Sequence, residues 1–102
     1  MSSDLGRLLL LLVEPSAMQA KIIRKACDEI GVRQVDVVGT AREALDAMAR
    51  RRPDVVLSAL YLPDGAGTGL VAAMRADPAF ASLPFILVSS ETRPQGLRTR
   101  SP

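Results

Sequence analysis

Few side chains in this sequence could do covalent chemistry. The 102 residues include no histidine, which removes imidazole acid–base catalysis, imidazole metal ligation and a histidine phosphoryl acceptor. The single cysteine, Cys27, lies among Ile22, Ile23, Ala26 and Ile30. That company reads as a small core residue rather than a nucleophile, and one cysteine allows no internal disulfide. Gly65-Ala66-Gly67-Thr68-Gly69 has the glycine density of a phosphate-cradling loop, the basis for an alternative reading as a nucleotide- or phosphate-binding α/β domain. It lacks the P-loop lysine, however, and its spacing does not fit the dinucleotide fingerprint. A flexible strand-to-helix connection accounts for it more simply. What remains is a set of oxygen-bearing side chains around the ends of apolar runs: Glu14, Ser58, Asp64 and Ser89. Each has a plain structural role open to it. Glu14 can sit at a helix N-terminus, where the dipole favours a carboxylate. Asp64 can shape a turn beside Gly65, and Ser89 can cap the polar end of a strand.

The elements that position these groups must come from one small domain, with 48% hydrophobic residues to build its core. Aromatic residues make up only 3%, so that core is aliphatic. Thirteen basic and 11 acidic residues give a net charge of +2, too balanced to argue for nucleic acid. Arg50-Arg51-Arg52 has no aromatic interleaving and suits a solvated helix C-terminus. Arg7 followed by Leu8–Val13 resembles the core of a signal peptide, but the run is short and Glu14-Pro15 stops it. A buried strand fits better, and no segment is long enough to span a membrane. A cytoplasmic location is expected, with neither membrane nor nucleic acid as a partner.

Apolar runs and helical patterns alternate along the chain. Leu8–Val13 is a continuous aliphatic run, as a strand covered on both faces requires. Ser16 can cap a helix from Ala17 to about Ile30, closed by Gly31, with Ile22, Ile23, Ala26, Cys27 and Ile30 as its inward stripe. Val35–Val38 is a second strand. Thr40-Ala41-Arg42-Glu43 is a capping box opening a helix that turns Ala44, Leu45 and Met48 inward and closes near Arg51, before Pro53. Asp54–Ala59 is a third strand, 63–69 a glycine-containing loop, Leu70–Ala76 a helix ended by Asp77-Pro78, and Phe85–Val88 a fourth strand. Periodicity stops after Thr92. The domain is therefore placed at residues 1–92, with 93–102 an irregular or disordered tail. This βαβαβαβ order predicts a parallel sheet with right-handed crossovers.

With these elements in place, the chain resembles the receiver domain of two-component response regulators. The resemblance runs from Leu8 to about Glu91. It is carried by Val13-Glu14-Pro15-Ser16, Arg52-Pro53-Asp54-Val55-Val56-Leu57, Leu62-Pro63-Asp64-Gly65, Arg75-Ala76-Asp77-Pro78 and Leu83-Pro84-Phe85-Ile86-Leu87-Val88-Ser89-Ser90. It implies a flavodoxin-like, doubly wound sheet with a site at the carboxyl ends of the strands. In that family two acidic residues after the first strand hold Mg²⁺. An aspartate ending the third strand accepts the phosphoryl group and serves as another carboxylate ligand. A Ser or Thr ends the fourth strand, and a lysine ends the fifth.

Carried onto this sequence, the resemblance puts Glu14 at the first acidic position and Pro15 at the second. Ala59 stands at the acceptor and Ser89 at the hydroxyl. The lysine has no counterpart, because Lys21 and Lys25 both belong to the first helix. A methyl group cannot accept a phosphoryl group, and one carboxylate holds Mg²⁺ poorly. Of the substitute acceptors, Ser58 points to the opposite face by strand alternation and Asp54 lies at the wrong end of its strand. Asp64, in the loop just past the site, is the best of a weak set.

The expected molecule is thus a pseudo-receiver, with no enzymatic activity and no cofactor, Mg²⁺ binding being weak or absent. It would bind a protein partner through the loops near Glu14, 59–69 and Ser89. The sheet order is expected to be 2-1-3-4, incomplete for want of a fifth strand and final helix, as in a receiver truncated after the fourth strand. The open edge of Phe85–Val88 or the exposed core face would then favour a homodimer or higher self-association.

Overall fold

The structure, a computed structural model, describes residues 4–88. A single turn of helix, α1 (Asp4–Arg7), precedes β1 (Leu9–Val13), α2 (Ala17–Glu29), β2 (Gln34–Val38), α3 (Ala41–Arg50) and β3 (Val55–Ala59). Then follow a small hairpin of β4 (Tyr61–Leu62) and β5 (Gly65–Ala66), helix α4 (Gly67–Ala76) and β6 (Phe85–Val88). Four strands form a parallel sheet in the order β2-β1-β3-β6. This is the order expected from sequence, with β6 as the fourth strand. Neither α1 nor the antiparallel β4–β5 hairpin is expected from the sequence pattern.

All five residues of β1 are buried, because the strand is central and both its faces are covered. Leu11 and Val13 pack with Val56 against Ala44, Ala47 and Met48 of α3 and Leu70 and Met74 of α4. Leu10 and Leu12 face the other way, against Ala20 and Cys27 of α2 and Val32. The sheet is therefore doubly wound, with α2 on one face and α3 and α4 on the other. The aliphatic run Leu9–Val13 reads as it does because no position in it meets water.

The α2 stripe expected from sequence needs correction. Ile22 is 57% and Ile30 65% exposed, and Ala26 is exposed as well. The buried line is instead Ala20 and Cys27, with Ile23 half-buried beside them. Both sets recur at helical spacing, so periodicity alone does not separate them. The smaller Ala20 and Cys27 face the sheet at Leu10 and Leu12. Burial also pushes the Cys27 thiol upward in pKa, consistent with a core residue rather than a nucleophile.

The helix ends follow their local chemistry. The Ser16 hydroxyl accepts the Gln19 N–H at 3.2 Å, and Gly31 takes the left-handed conformation just past α2, with φ +100°. The Thr40 hydroxyl accepts the Glu43 N–H at 3.0 Å. Glu43 returns its carboxylate to the Gly39 N–H at 2.9 Å, one residue earlier than a standard capping box. Asp54 anchors the amino end of the sheet: its carboxylate accepts the Leu9 N–H at 2.8 Å, and its own N–H donates to the Leu9 carbonyl. Helix α4 begins at Gly67, three residues before the expected Leu70.

Candidate functional site at the carboxyl ends of the strands

The register of the sheet assembles the candidate residues. Val13 pairs with Ser58, and Ala59 pairs with Val88. Glu14 and Ala59 are thus the next residues along two adjacent strands, at the end where β1 and β3 hand over to their loops. Ser89 follows Val88 directly in sequence and lies outside the described residues.

Glu14 is buried, only 6% exposed. Its N–H donates to the Val38 carbonyl at 2.8 Å, continuing the β1–β2 ladder by one bond. Its carboxylate Oε2 accepts the Ser16 N–H at 3.0 Å. The carboxylate is thus used by the amide that opens α2, where the helix dipole favours a negative charge. Pro15 is exposed and offers no oxygen beyond its carbonyl.

Ala59 is 4% exposed and closely covered. A side-chain carbon placed on Gly67 would come within 2.6 Å of the Ala59 carbonyl oxygen and 2.5 Å of Leu87 Cδ1. The backbone of α4 therefore lies almost directly on the end of β3, and the Gly67 N–H donates to the Leu60 carbonyl at 2.8 Å. Ser58, fully buried, donates its hydroxyl to the Ala59 carbonyl at 2.9 Å. By register it shares the face of Val13, the one covered by α3 and α4.

Asp64 forms, with Pro63, the two-residue turn of the β4–β5 hairpin. Its carboxylate reaches across to α3: Oδ1 accepts the Ala41 N–H at 2.9 Å and Oδ2 the Arg42 N–H at 3.0 Å. These bonds, the one from Ala41 first, hold its pKa below the ordinary carboxylate value. This role was missed from the sequence because 22 and 23 residues separate the partners, and no spacing rule links a turn to a helix so far away. The close seat of Gly67 was missed for the same reason. The glycine segment is largely built into structure, with Gly65 in β5 and both Gly67 and Gly69 in α4.

A divalent cation does not fit these residues. Mg²⁺ prefers near-octahedral oxygen coordination, whereas among the described residues the ends of β1 and β3 present the single Glu14 carboxylate, already bonded to an amide. The resemblance read from the sequence implies that Pro15 and Ala59 take the positions of the family's other carboxylates. Among the described residues no cluster of three or more His, Cys, Asp or Glu side chains is placed to hold a metal.

A β2-β1-β3-β6 parallel sheet, wound on both faces and carrying its candidate groups at the carboxyl ends of β1 and β3, defines a receiver-type α/β domain. Residues 10–99 match the family model described as the response regulator receiver domain, and the chain belongs to that family. Among solved structures it resembles the signal receiver domain of a signal transduction histidine kinase from Syntrophus aciditrophicus, with 28% identity and a TM-score of 0.76 over 88% of this chain and 67% of that one. A sensor protein from Polaromonas sp. JS666 is similar at 29% identity and TM-score 0.78, over 91% and 74% of the two chains. Regulatory protein LuxO of Vibrio vulnificus (strain YJ016) is 35% identical over 65 residues, 64% of this chain. The chain matches only 14% of the length of that relative. No described helix is long and apolar enough to cross a membrane.

Proposed function

We propose that this receiver domain is a pseudo-receiver, which takes part in two-component signalling by binding a protein partner rather than by accepting a phosphoryl group. The observation that carries the reading is Ala59, a buried methyl group at the acceptor position that the family resemblance assigns, with the first turn of α4 seated against its carbonyl. Phosphoryl transfer needs a nucleophilic oxygen in line with the donor and cations to neutralise the charge on the transferred group. At this site the first is replaced by a methyl group, and the carboxylate set that would hold the cation is reduced to Glu14. The domain accordingly acts without enzymatic activity or a bound cofactor, in the cytoplasm, and its output is a contact. The binding surface is the carboxyl-end loops: the turn at Pro15, the hairpin 61–66 and the start of α4.

Self-association belongs to the same proposal. Among the described residues β6 pairs only with β3, and Ile86 and Leu87 are 52% and 40% exposed. A short apolar strand with a free edge favours pairing with a second copy. The phosphoryl side of the proposal is tested by amide NMR with acetyl phosphate or beryllofluoride and Mg²⁺. The expected result is no saturable shift at Glu14 or at 59–67. A saturable shift there, lost in Asp64→Asn, would mean that Asp64 has become the acceptor. For self-association, sedimentation at micromolar concentration is expected to show a dimer or larger species, and a compact monomer alone would exclude it.

A further inference from the structure

We infer that Asp64 is a latch, which ties the β4–β5 hairpin to helix α3 and holds the carboxyl end of the sheet closed. The hairpin has only two residues in each strand, and a ribbon that short does not hold itself together in water. Its base is tied by the Gly67 N–H to the Leu60 carbonyl at 2.8 Å, and Leu62 is buried in the core beneath it. Among the described residues its tip is tied only through Asp64, to the Ala41 and Arg42 amides at 2.9 and 3.0 Å. Those amides belong to the first turn of α3, where a helix has N–H groups with no partner of its own. Thr40 satisfies the third, that of Glu43, and the fourth, that of Ala44, donates to the Thr40 carbonyl. The helix cap is therefore shared between a local hydroxyl and a carboxylate from a distant loop.

The other charged groups nearby are engaged elsewhere. The Arg42 guanidinium pairs with Asp46 at 3.7 Å, Glu43 accepts the Gly39 N–H, and Glu14 accepts the Ser16 N–H. Among the described residues Asp64 thus meets the two amides without a competing carboxylate. The hairpin tip is held by a carboxylate of the chain itself. This rests on hydrogen-bond geometry and stands whether or not Ala59 bars phosphorylation.

The test is native-state hydrogen exchange by NMR on the full chain, comparing the wild type with Asp64→Ala and Asp64→Asn. In Asp64→Ala the Ala41, Arg42 and Gly67 amides are expected to exchange roughly tenfold faster, while Leu11 and Leu12 in β1 are unchanged. Asp64→Asn, which keeps one acceptor oxygen, is expected to lie between. Unchanged protection of Gly67 in Asp64→Ala overturns the latch. Should β1 amides also accelerate, the wild type decides: on acidification the Ala41 and Arg42 amide shifts must follow protonation of Asp64 while the fold persists. Their failure to do so overturns the proposal.

Discussion

Gly67 and Ala59 meet backbone to backbone: a side-chain carbon on Gly67 would stand 2.6 Å from the Ala59 carbonyl oxygen. The contact seats the first turn of α4 on the end of β3.

Gly67→Ala is therefore expected to destabilise the fold by about 1–3 kcal/mol, measured by urea unfolding. Helix propensity alone argues the opposite, since alanine is favoured over glycine by about 1 kcal/mol within a helix. Leu87 can swing away, but the Ala59 carbonyl is fixed by the sheet, so the clash decides the sign. A variant as stable as the wild type would show that α4 can lift from β3 at little cost.

Ala59→Asp places a carboxylate at the acceptor position without restoring its partners. It is expected to remain unlabelled by acetyl phosphate and Mg²⁺, because Pro15 supplies no second acidic ligand and the Glu14 carboxylate is already bonded to the Ser16 amide. Acid-labile phosphate on this variant, detected by mass spectrometry, would show that the Ala59 substitution alone silences the site.

Ala66 is the N-cap of α4 and makes no side-chain capping bond. Its backbone is already extended, with φ −136° and ψ 157°, as a capping residue requires. Ala66→Asp or Ala66→Ser should stabilise the domain by about 0.5–2 kcal/mol, visible as a higher urea midpoint. Thr40→Ala, which removes an existing cap from α3, should cost about as much. An Ala66→Ser variant no more stable than the wild type would mean that β5 pairing holds residue 66 away from the amides.

Asp64 makes stability depend on acid in a predictable direction. Its folded pKa lies below the unfolded value, near 3.9 for an aspartate, because the Ala41 and Arg42 amides bond its ionised form. The stabilisation is thus fully present above that unfolded value, and is lost as pH falls through the lower folded one. Asp64→Asn should flatten that part of a stability-against-pH curve while leaving the curve above about pH 5 parallel to wild type. An unchanged acid limb would assign the dependence to other carboxylates.

The fold was largely legible in the residues. Leu8–Val13, apolar at every position, fitted a strand covered on both faces better than a signal-peptide core, and Ser16, Gly31 and Thr40 marked helix ends that the structure keeps. These are local signals: they depend on residue types a few positions apart and on the periods of strand and helix. The places of Pro15 after Glu14 and of Ala59 at the end of the third apolar run came from the resemblance to the receiver family, and the sheet register then set Glu14 and Ala59 next along adjacent strands.

Three features were decided only by the tertiary structure. Which of two helically spaced stripes of α2 faces the sheet was settled by how the helix packs on Leu10 and Leu12, with Cys27 turned inward while Ile22 and Ile30 stayed exposed. Gly67 was set against Ala59 by the path of the chain between them. Asp64, which looked like a turn residue or a weak substitute acceptor, was carried by its hairpin to the amides of α3. Hydrogen bonds and close contacts between residues distant in sequence depend on how packed elements lie against one another, and no local pattern records that placement.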